Sequence, residues 1–317
     1  MGTSRLGQDG GTGPRRIKIG EIVITPFVSS RFRLDGGSMF GVVPKAIWRK
    51  LAPPDALNRI TLNCNSLLVE AGGTRVLIEP GMGSKYDRKL KEIYGLAGCD
   101  VLSGLAALGI EPGEIDTVVP THLHLDHAGG CTAWADPGKA VPSFPNARVV
   151  VQRAEWEAAT SPHPLSAASY QPGDFTPLLE GGALELVDGV VEVAEGLRVE
   201  LTGGHTPGHQ VVRIRSGGSE ALFVGDIVPT TAHLKLNWLM AWDLEPLVVY
   251  EARARLLEDC ARRGVMVFSA HDPEIAACRL LEGRPGSFAI EADSVVEAVF
   301  QAGALKSSSE DERPGVV

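Results

Sequence analysis

Residues 121–130 read THLHLDHAGG, which puts His122, His124, Asp126 and His127 within six positions of a 317-residue chain holding eight histidines. At the chain's own His and Asp frequencies this pattern arises by chance on the order of once in several thousand such chains. A surface histidine cluster or a set of hydrogen-bonded core histidines needs no such spacing, so metal ligation is the reading that explains it. His122 and His124 are two apart and share one side of an extended backbone, whereas Asp126 and His127 are adjacent and diverge. Two ions suit that arrangement better than one. A catalytic ion takes about three protein ligands and keeps a position open, so more donors are required elsewhere.

Three further stretches supply them. GGHTPGHQ offers His205 and His209, FVGDIV offers Asp226, and VFSAHDP offers His271. A carboxylate can join two cations where an imidazole cannot, so Asp226 is the expected bridge. Spacing alone does not choose between His205 and His209.

These residues need strand ends to hold them. The apolar run 115–120 stops at Thr121, so the cluster is expected where a strand gives way to a turn, with Ala128-Gly129-Gly130 letting the backbone bend. A strand pair is expected over 17–28. Strands at 61–70 and 74–79 flank Gly72-Gly73, a two-residue hairpin signal. Others are expected at 148–152, 183–187, 190–193, 198–201, 210–215, 221–224 and 265–269, and helices at 85–94, 99–108, 153–160 and 246–263. In the last helix Val249, Ala252, Leu256 and Cys260 form one apolar stripe. Segment 33–48 is glycine-rich yet apolar, and is expected to pack over something. Nothing cuts the chain further: 1–15 reads as a disordered lead, 16–304 as a single domain and 305–317 as a disordered tail.

Composition bounds the class. With 44% hydrophobic and 22% charged residues the chain can bury one large core. No apolar run reaches the roughly 18 residues of a membrane span, and the first residues lack a signal peptide's apolar stretch, so a cytoplasmic protein without a membrane partner is expected. Cys64, Cys99, Cys131, Cys260 and Cys278 are scattered without a Cys-x-x-Cys pair, which suggests neither a disulfide framework nor a thiolate metal site. A net charge of -9, with no basic run beyond Arg15, Arg16 and Lys18, argues against nucleic acid. The expected partner is a small-molecule substrate, and a homodimer is compatible.

Taken in order, the motifs resemble the metallo-β-lactamase superfamily from about residue 17 to residue 300. The resemblance implies an α/β (α+β) fold, a four-layer αβ/βα sandwich with its site along one edge of two sheets. It implies that His122, His124 and His205 hold one divalent metal ion, that Asp126, His127 and His271 hold a second, and that Asp226 joins them, with His209 outside the ligand set. Relatives usually carry Asp-Thr-Gly where this chain has Glu79-Pro80-Gly81, so Glu79 is expected to support ligands from slightly further back. Iron-using relatives resemble a pattern with Glu at the place of His124, and histidine there favours two zinc ions as cofactors. A water shared by two cations titrates toward neutrality instead of about 15.7 and supplies hydroxide, with Asp126 the expected catalytic proton shuttle.

The stretches LDGGSMFGVVPKAIW and GDIVPTTAHLKLNWLMAW resemble the branch of quorum-quenching N-acyl-homoserine lactonases and their relatives similar to methyl parathion hydrolase. Met39, Phe40, Val42, Leu236, Trp238, Leu239, Met240 and Trp242 are expected to wall an apolar pocket for an acyl or aryl group. Lactonases of this branch place a Tyr three residues beyond the bridging Asp. Pro229 stands there in this chain, and Thr230 or His233 is the expected replacement donor. The expected function is a dinuclear metal-dependent hydrolase of lactones or esters with apolar tails. Phosphotriester or arylester hydrolysis is the alternative in the same pocket, and a mononuclear iron oxidoreductase acting on thiols or persulfides is the alternative from another class.

Overall fold

The computed structural model describes residues 15–97 and 100–299. The expected lead, apart from Arg15, the expected tail 305–317, and Cys99 lie outside the described residues. Strands β1 (Ile17–Ile19), β2 (Ile22–Asp35), β3 (Arg59–Ala71) and β4 (Thr74–Ile78) form an antiparallel run. Gly72 and Gly73 turn β3 into β4 with φ of +56° and +83°, a backbone that suits glycine at both places. β5 (Thr117–Val119) then joins β4 in parallel. A side hairpin of β6 (Thr132–Asp136) and β7 (Lys139–Pro142) precedes β8 (Arg148–Gln152) and β9 (Leu184–Val187), which complete the sheet in the order β1-β2-β3-β4-β5-β8-β9.

The second sheet contains β10 (Val190–Ala194), β11 (Leu197–Leu201), β12 (Gln210–Ser216), β13 (Ser219–Phe223), β14 (Met266–Phe268) and β15 (Ile275–Cys278). After a hairpin of β16 (Leu280–Glu282) and β17 (Phe288–Ile290), β18 (Val296–Glu297) closes it beside β15. The helices are α1 (Gly36–Phe40), α2 (Lys45–Trp48), α3 (Arg88–Ile93), α4 (Val101–Ala107), α5 (Leu125–Ala128), α6 (Arg153–Thr160), α7 (Thr176–Glu180) and α8 (Pro246–Arg263).

Three apolar clusters stack these elements into four layers. Leu67, Val69 and Ile78 of the first sheet meet Val212, Phe223 and Phe268 of the second. Val101, Leu105, Ala159 and Leu178, from α4, α6 and α7, cover the outer face of the first sheet, and Val249, Leu256 and Cys260 of α8 cover that of the second. Each such buried side chain contributes about 1.5–3 kcal/mol, so the stripe of α8 anchors the helix even though its other side is wet. The parallel pairs β4–β5 and β13–β14 send the residues after their carboxyl ends to one edge, the usual place for a site in open α/β sheets.

Several elements differ from the sequence reading. β2 continues past residue 28 to Asp35, because after a bulge its register against β3 carries on to the pair Asp35↔Arg59 and buries Phe32. Segment 33–48 is therefore a strand end plus α1 and α2. The helix expected over 85–94 begins only at Arg88, because the Asp87 carboxylate accepts the Leu90 N–H at 2.8 Å as its cap. Lys85 instead turns inward to Asp174, 3.0 Å away.

Candidate metal centre

The THLHLDHAGG stretch leaves β5 at Val119 and passes through bends, not extended strand, before α5. His124 stands just ahead of α5, and its carbonyl accepts the N–H groups of His127 and Ala128 at 3.0 and 2.9 Å. That single turn carries Asp126 and His127. Gly129 and Gly130 are required by close approach: an added Cβ would sit 2.0 Å from the Met82 carbonyl oxygen and 2.2 Å from that of Pro80. Asp226 follows β13 behind Gly225, whose φ is +51° and whose missing Cβ leaves room for the His209 ring. His205 precedes β12, and His271 follows β14.

All seven candidate ligands meet. His122, His124 and His205 form one group, Asp126, His127 and His271 another, and Asp226 lies against both. In the first group Nδ1 of His124 is 3.0 Å from Nε2 of His122 and 3.2 Å from Nε2 of His205. In the second, Nε2 of His127 is 2.9 Å from Nε2 of His271, and Oδ2 of Asp126 is 3.6 Å from the latter atom. The two oxygens of Asp226 divide between the groups: Oδ2 is 3.3 Å from Nε2 of His205, and Oδ1 is 3.2 Å from Nε2 of His271.

The far sides of three rings are held. Nδ1 of His205 donates to Asp243 at 2.9 Å, Nδ1 of His271 donates to the Asn63 carbonyl at 2.8 Å, and Nδ1 of His127 meets the Glu79 carboxylate. Those bonds fix the tautomers that turn lone pairs toward the centre. Glu79 also accepts the Thr121 N–H at 2.6 Å, so it ties ligand to loop directly. His209 accepts the Asp226 N–H on Nε2 at 3.0 Å and bonds Thr202 Oγ1 through Nδ1 at 2.7 Å, which spends both ring nitrogens outside the ligand cluster.

Electrostatics divides the histidines. Burial, with neighbouring imidazoles, drives His122, His124 and His209 well below the ordinary histidine value. Burial acts the same way on His127, His205 and His271, but the carboxylates of Glu79, Asp226, Asp126 and Asp243 outweigh it and raise all three. Asp226 is held well below the usual carboxylate range because the imidazoles of His127, His271 and His205 overcome its burial. The cluster attracts positive charge. Oδ1 of Asp226 is buried with no hydrogen-bond partner, and paired imidazole lone pairs converge on the same spaces. Nitrogen and oxygen donors so arranged fit two divalent cations of the zinc type.

The centre opens into a cavity of about 110 Å³ whose apolar wall includes Phe32, Leu34, Met39, Met240 and Trp242. Of the expected pocket residues, Met39, Met240 and Trp242 line it. Phe40, Thr230, His233 and Trp238 do not. Phe40 is fully buried behind the wall, stacked on Trp48 and His233 and edge-on to Trp238. Thr230 and His233 satisfy each other at 2.8 Å, and Nε2 of His233 donates to the Met39 carbonyl at 2.9 Å, which leaves no donor for a substrate. Burial, with Arg253 beside it, pushes the His233 ring down to about 4. Val42 is 96% exposed and walls nothing, while Leu236 and Leu239 belong to the α8 cluster.

Some supporting residues carry no sequence signal. Asp243 orients His205 and accepts the Met240 N–H at 2.9 Å, coupling a candidate ligand to the pocket wall. Glu155, fully buried on α6, accepts the Leu123 N–H at 2.9 Å, the Tyr170 hydroxyl at 3.1 Å and the Thr206 hydroxyl at 2.5 Å, joining the loops of His122 and His205. Burial raises its carboxyl despite these bonds. In sequence it reads as an ordinary helical acid.

Residues 59–271 match the family profile described as Metallo-beta-lactamase superfamily. The chain is 32% identical over 183 residues to the N-acyl homoserine lactonase AttM of Azorhizobium caulinodans, a match covering 56% of this chain and 65% of that one. A solved structure from Staphylococcus aureus, described as a probable metal-dependent hydrolase, is 30% identical with a TM-score of 0.78 and covers 83% of this chain and 94% of its own. AidC, described as a dizinc quorum-quenching lactonase, superposes with a TM-score of 0.71 over 91% of this chain and 98% of its own, and at 21% identity it shares the fold.

Proposed function

The chain belongs to the metallo-β-lactamase superfamily, and from that premise we propose that it is a dinuclear, zinc-dependent hydrolase that opens lactones with apolar tails, N-acyl-homoserine lactones foremost. The observation that carries the reading is the split of Asp226, one oxygen toward His205 and the other toward His271, which is the geometry of a carboxylate shared by two cations. When bound, two such ions supply Lewis acidity and bring the pKa of water toward neutrality.

The chain's own residues do the rest. Glu79, Asp243 and Asn63 orient His127, His205 and His271, so little reorganisation remains for the reaction. Phe32, Leu34, Met39, Met240 and Trp242 offer an apolar wall to a tail and exclude water from it. Asp126 lines the cavity, and its Oδ2 is suited to hold the proton that passes to the leaving alkoxide.

Arylester or phosphotriester hydrolysis uses the same groups, and Trp242 could face an aryl ring as readily as an alkyl chain. The name of the AttM relative favours the lactone. A mononuclear iron centre acting on thiols or persulfides would leave the Asp126, His127 and His271 group without a purpose. The substrate is a small molecule, and the protein works alone or as a homodimer. Among the described residues no helix is long and apolar enough to cross a membrane. Assays of a homoserine lactone, an aryl ester and a phosphotriester on protein of measured metal content test the reading. Turnover of the lactone supports it, and turnover of the other two alone contradicts it.

A further inference from the structure

An ester or lactone carbonyl becomes an oxyanion as water adds to it, and a donor already aimed at that oxygen lowers the barrier. The expected donors near Pro229 are spent on each other, so another must serve. Outside the candidate ligands, three residues that line the cavity carry a side-chain hydrogen-bond donor: Tyr94, Ser169 and Trp242. Tyr94 stands apart from the other tyrosines around the centre. The Tyr86 hydroxyl donates to the Leu125 carbonyl at 2.9 Å, and that of Tyr170 to Glu155 at 3.1 Å. Among the described residues no protein group bonds the hydroxyl of Tyr94.

Its backbone is tied to both the helix before it and the neighbouring strand. The Tyr94 N–H donates to the Leu90 carbonyl at 2.9 Å, and its carbonyl accepts the Arg33 N–H of β2 at 2.7 Å. The Arg59 guanidinium holds the Glu92 and Ile93 carbonyls at 3.2 and 2.9 Å. The ring packs on the apolar cluster that includes Phe32 and Leu125, and it shares the cavity wall with Asp126. Ser169, by contrast, ends a single 3-10 turn and has the reach of one carbon.

We propose that the Tyr94 hydroxyl is a catalytic donor, hydrogen-bonding the substrate oxygen that gains negative charge at the electrophilic centre. The proposal rests on the hydrolase reading above, with a lactone carbonyl as the first candidate for that oxygen.

Tyr94→Phe removes the hydroxyl and keeps the ring. On metal-loaded protein it should lower kcat about 10- to 100-fold while KM moves far less, because the bond strengthens as charge develops. Metal content and thermal midpoint should match the wild type. Ser169→Ala, which removes the competing donor, should lower kcat less than Tyr94→Phe does. Unchanged kcat in Tyr94→Phe, or the large loss falling on Ser169→Ala, would overturn the assignment. The comparison is made on whichever of a homoserine lactone, an aryl ester and a phosphotriester the wild type turns over best. A wild type inactive on lactones but active on another substrate defeats the lactone reading, and Tyr94→Phe is then judged on that substrate's oxygen. Turnover of none by fully loaded protein contradicts both.

Discussion

Nε2 of His271 lies 2.9 Å from Nε2 of His127, and the other nitrogen of each ring is already engaged, by the Asn63 carbonyl and the Glu79 carboxylate. Two imidazole lone pairs held face to face repel unless a positive charge lies between them. The arrangement is compatible with a metal site, and with cations filling it the stability of the fold should depend on them.

Stripping metal with a chelator should therefore lower the thermal midpoint. An ion present at about a hundred times its Kd contributes roughly 2.7 kcal/mol, on the order of 5 °C for a chain of this size. Scanning calorimetry before chelation, after it, and after adding zinc back reads the effect. An unchanged midpoint would contradict it.

Asp226→Ala and His209→Ala should separate. Losing Asp226 removes the oxygen offered to each ligand group, so bound metal should fall from about two ions to one or fewer. Losing His209 strips the acceptor from the Asp226 N–H and should cost about 1–3 kcal/mol of stability with metal content nearly intact. Elemental analysis of both proteins decides, and equal metal loss would make His209 a ligand.

Glu79→Gln keeps the size but removes the negative acceptor behind His127. Metal affinity should drop about 10- to 100-fold, with the loss confined to one of two sites. Competition against a chromogenic chelator measures it, and two sites weakened alike would count against so local a role.

A pH effect is expected far from the centre. Burial alone would raise Glu200 and Glu220, but hydrogen bonds from Arg213, with Arg198 and Arg215, overcome it and hold both below the usual glutamate range. A carboxylate with a depressed folded pKa gives its full stability above the unfolded value and loses it as pH falls through the folded one. Arg213→Met breaks this part-buried pairing and should cost about 1–3 kcal/mol at pH 7, with the deficit shrinking below about pH 4. Urea unfolding at pH 7 and pH 3 reads the difference, and a deficit independent of pH would contradict it.

The convergence of His122, His124, Asp126, His127, His205, Asp226 and His271 was legible because histidines are scarce and each motif sits at a strand end, while the choice of His205 over His209 came from the family resemblance alone. The bounds of α6, α8 and β8 were legible from local apolar pattern. Asp243, Asn63 and Glu155 were not, because one polar residue has no period and its partner lies up to 208 positions away, as for Asn63 and His271. Phe40 and Trp238 were rightly apolar and buried, but hydrophobicity does not say which side of a wall a ring lies on. The short helices α1 and α2 hid in a glycine-rich stretch whose local signals read as loop.

The most direct measurement pairs metal content with turnover of homoserine lactones of increasing acyl length. Protein holding close to two zinc ions should open them, with efficiency rising up to about fourfold per added methylene, the worth of about 0.8 kcal/mol of buried surface, and levelling once the chain outgrows the cavity beside Met39 and Trp242. Fully loaded protein that leaves every lactone closed, or that is complete with a single iron, would contradict it.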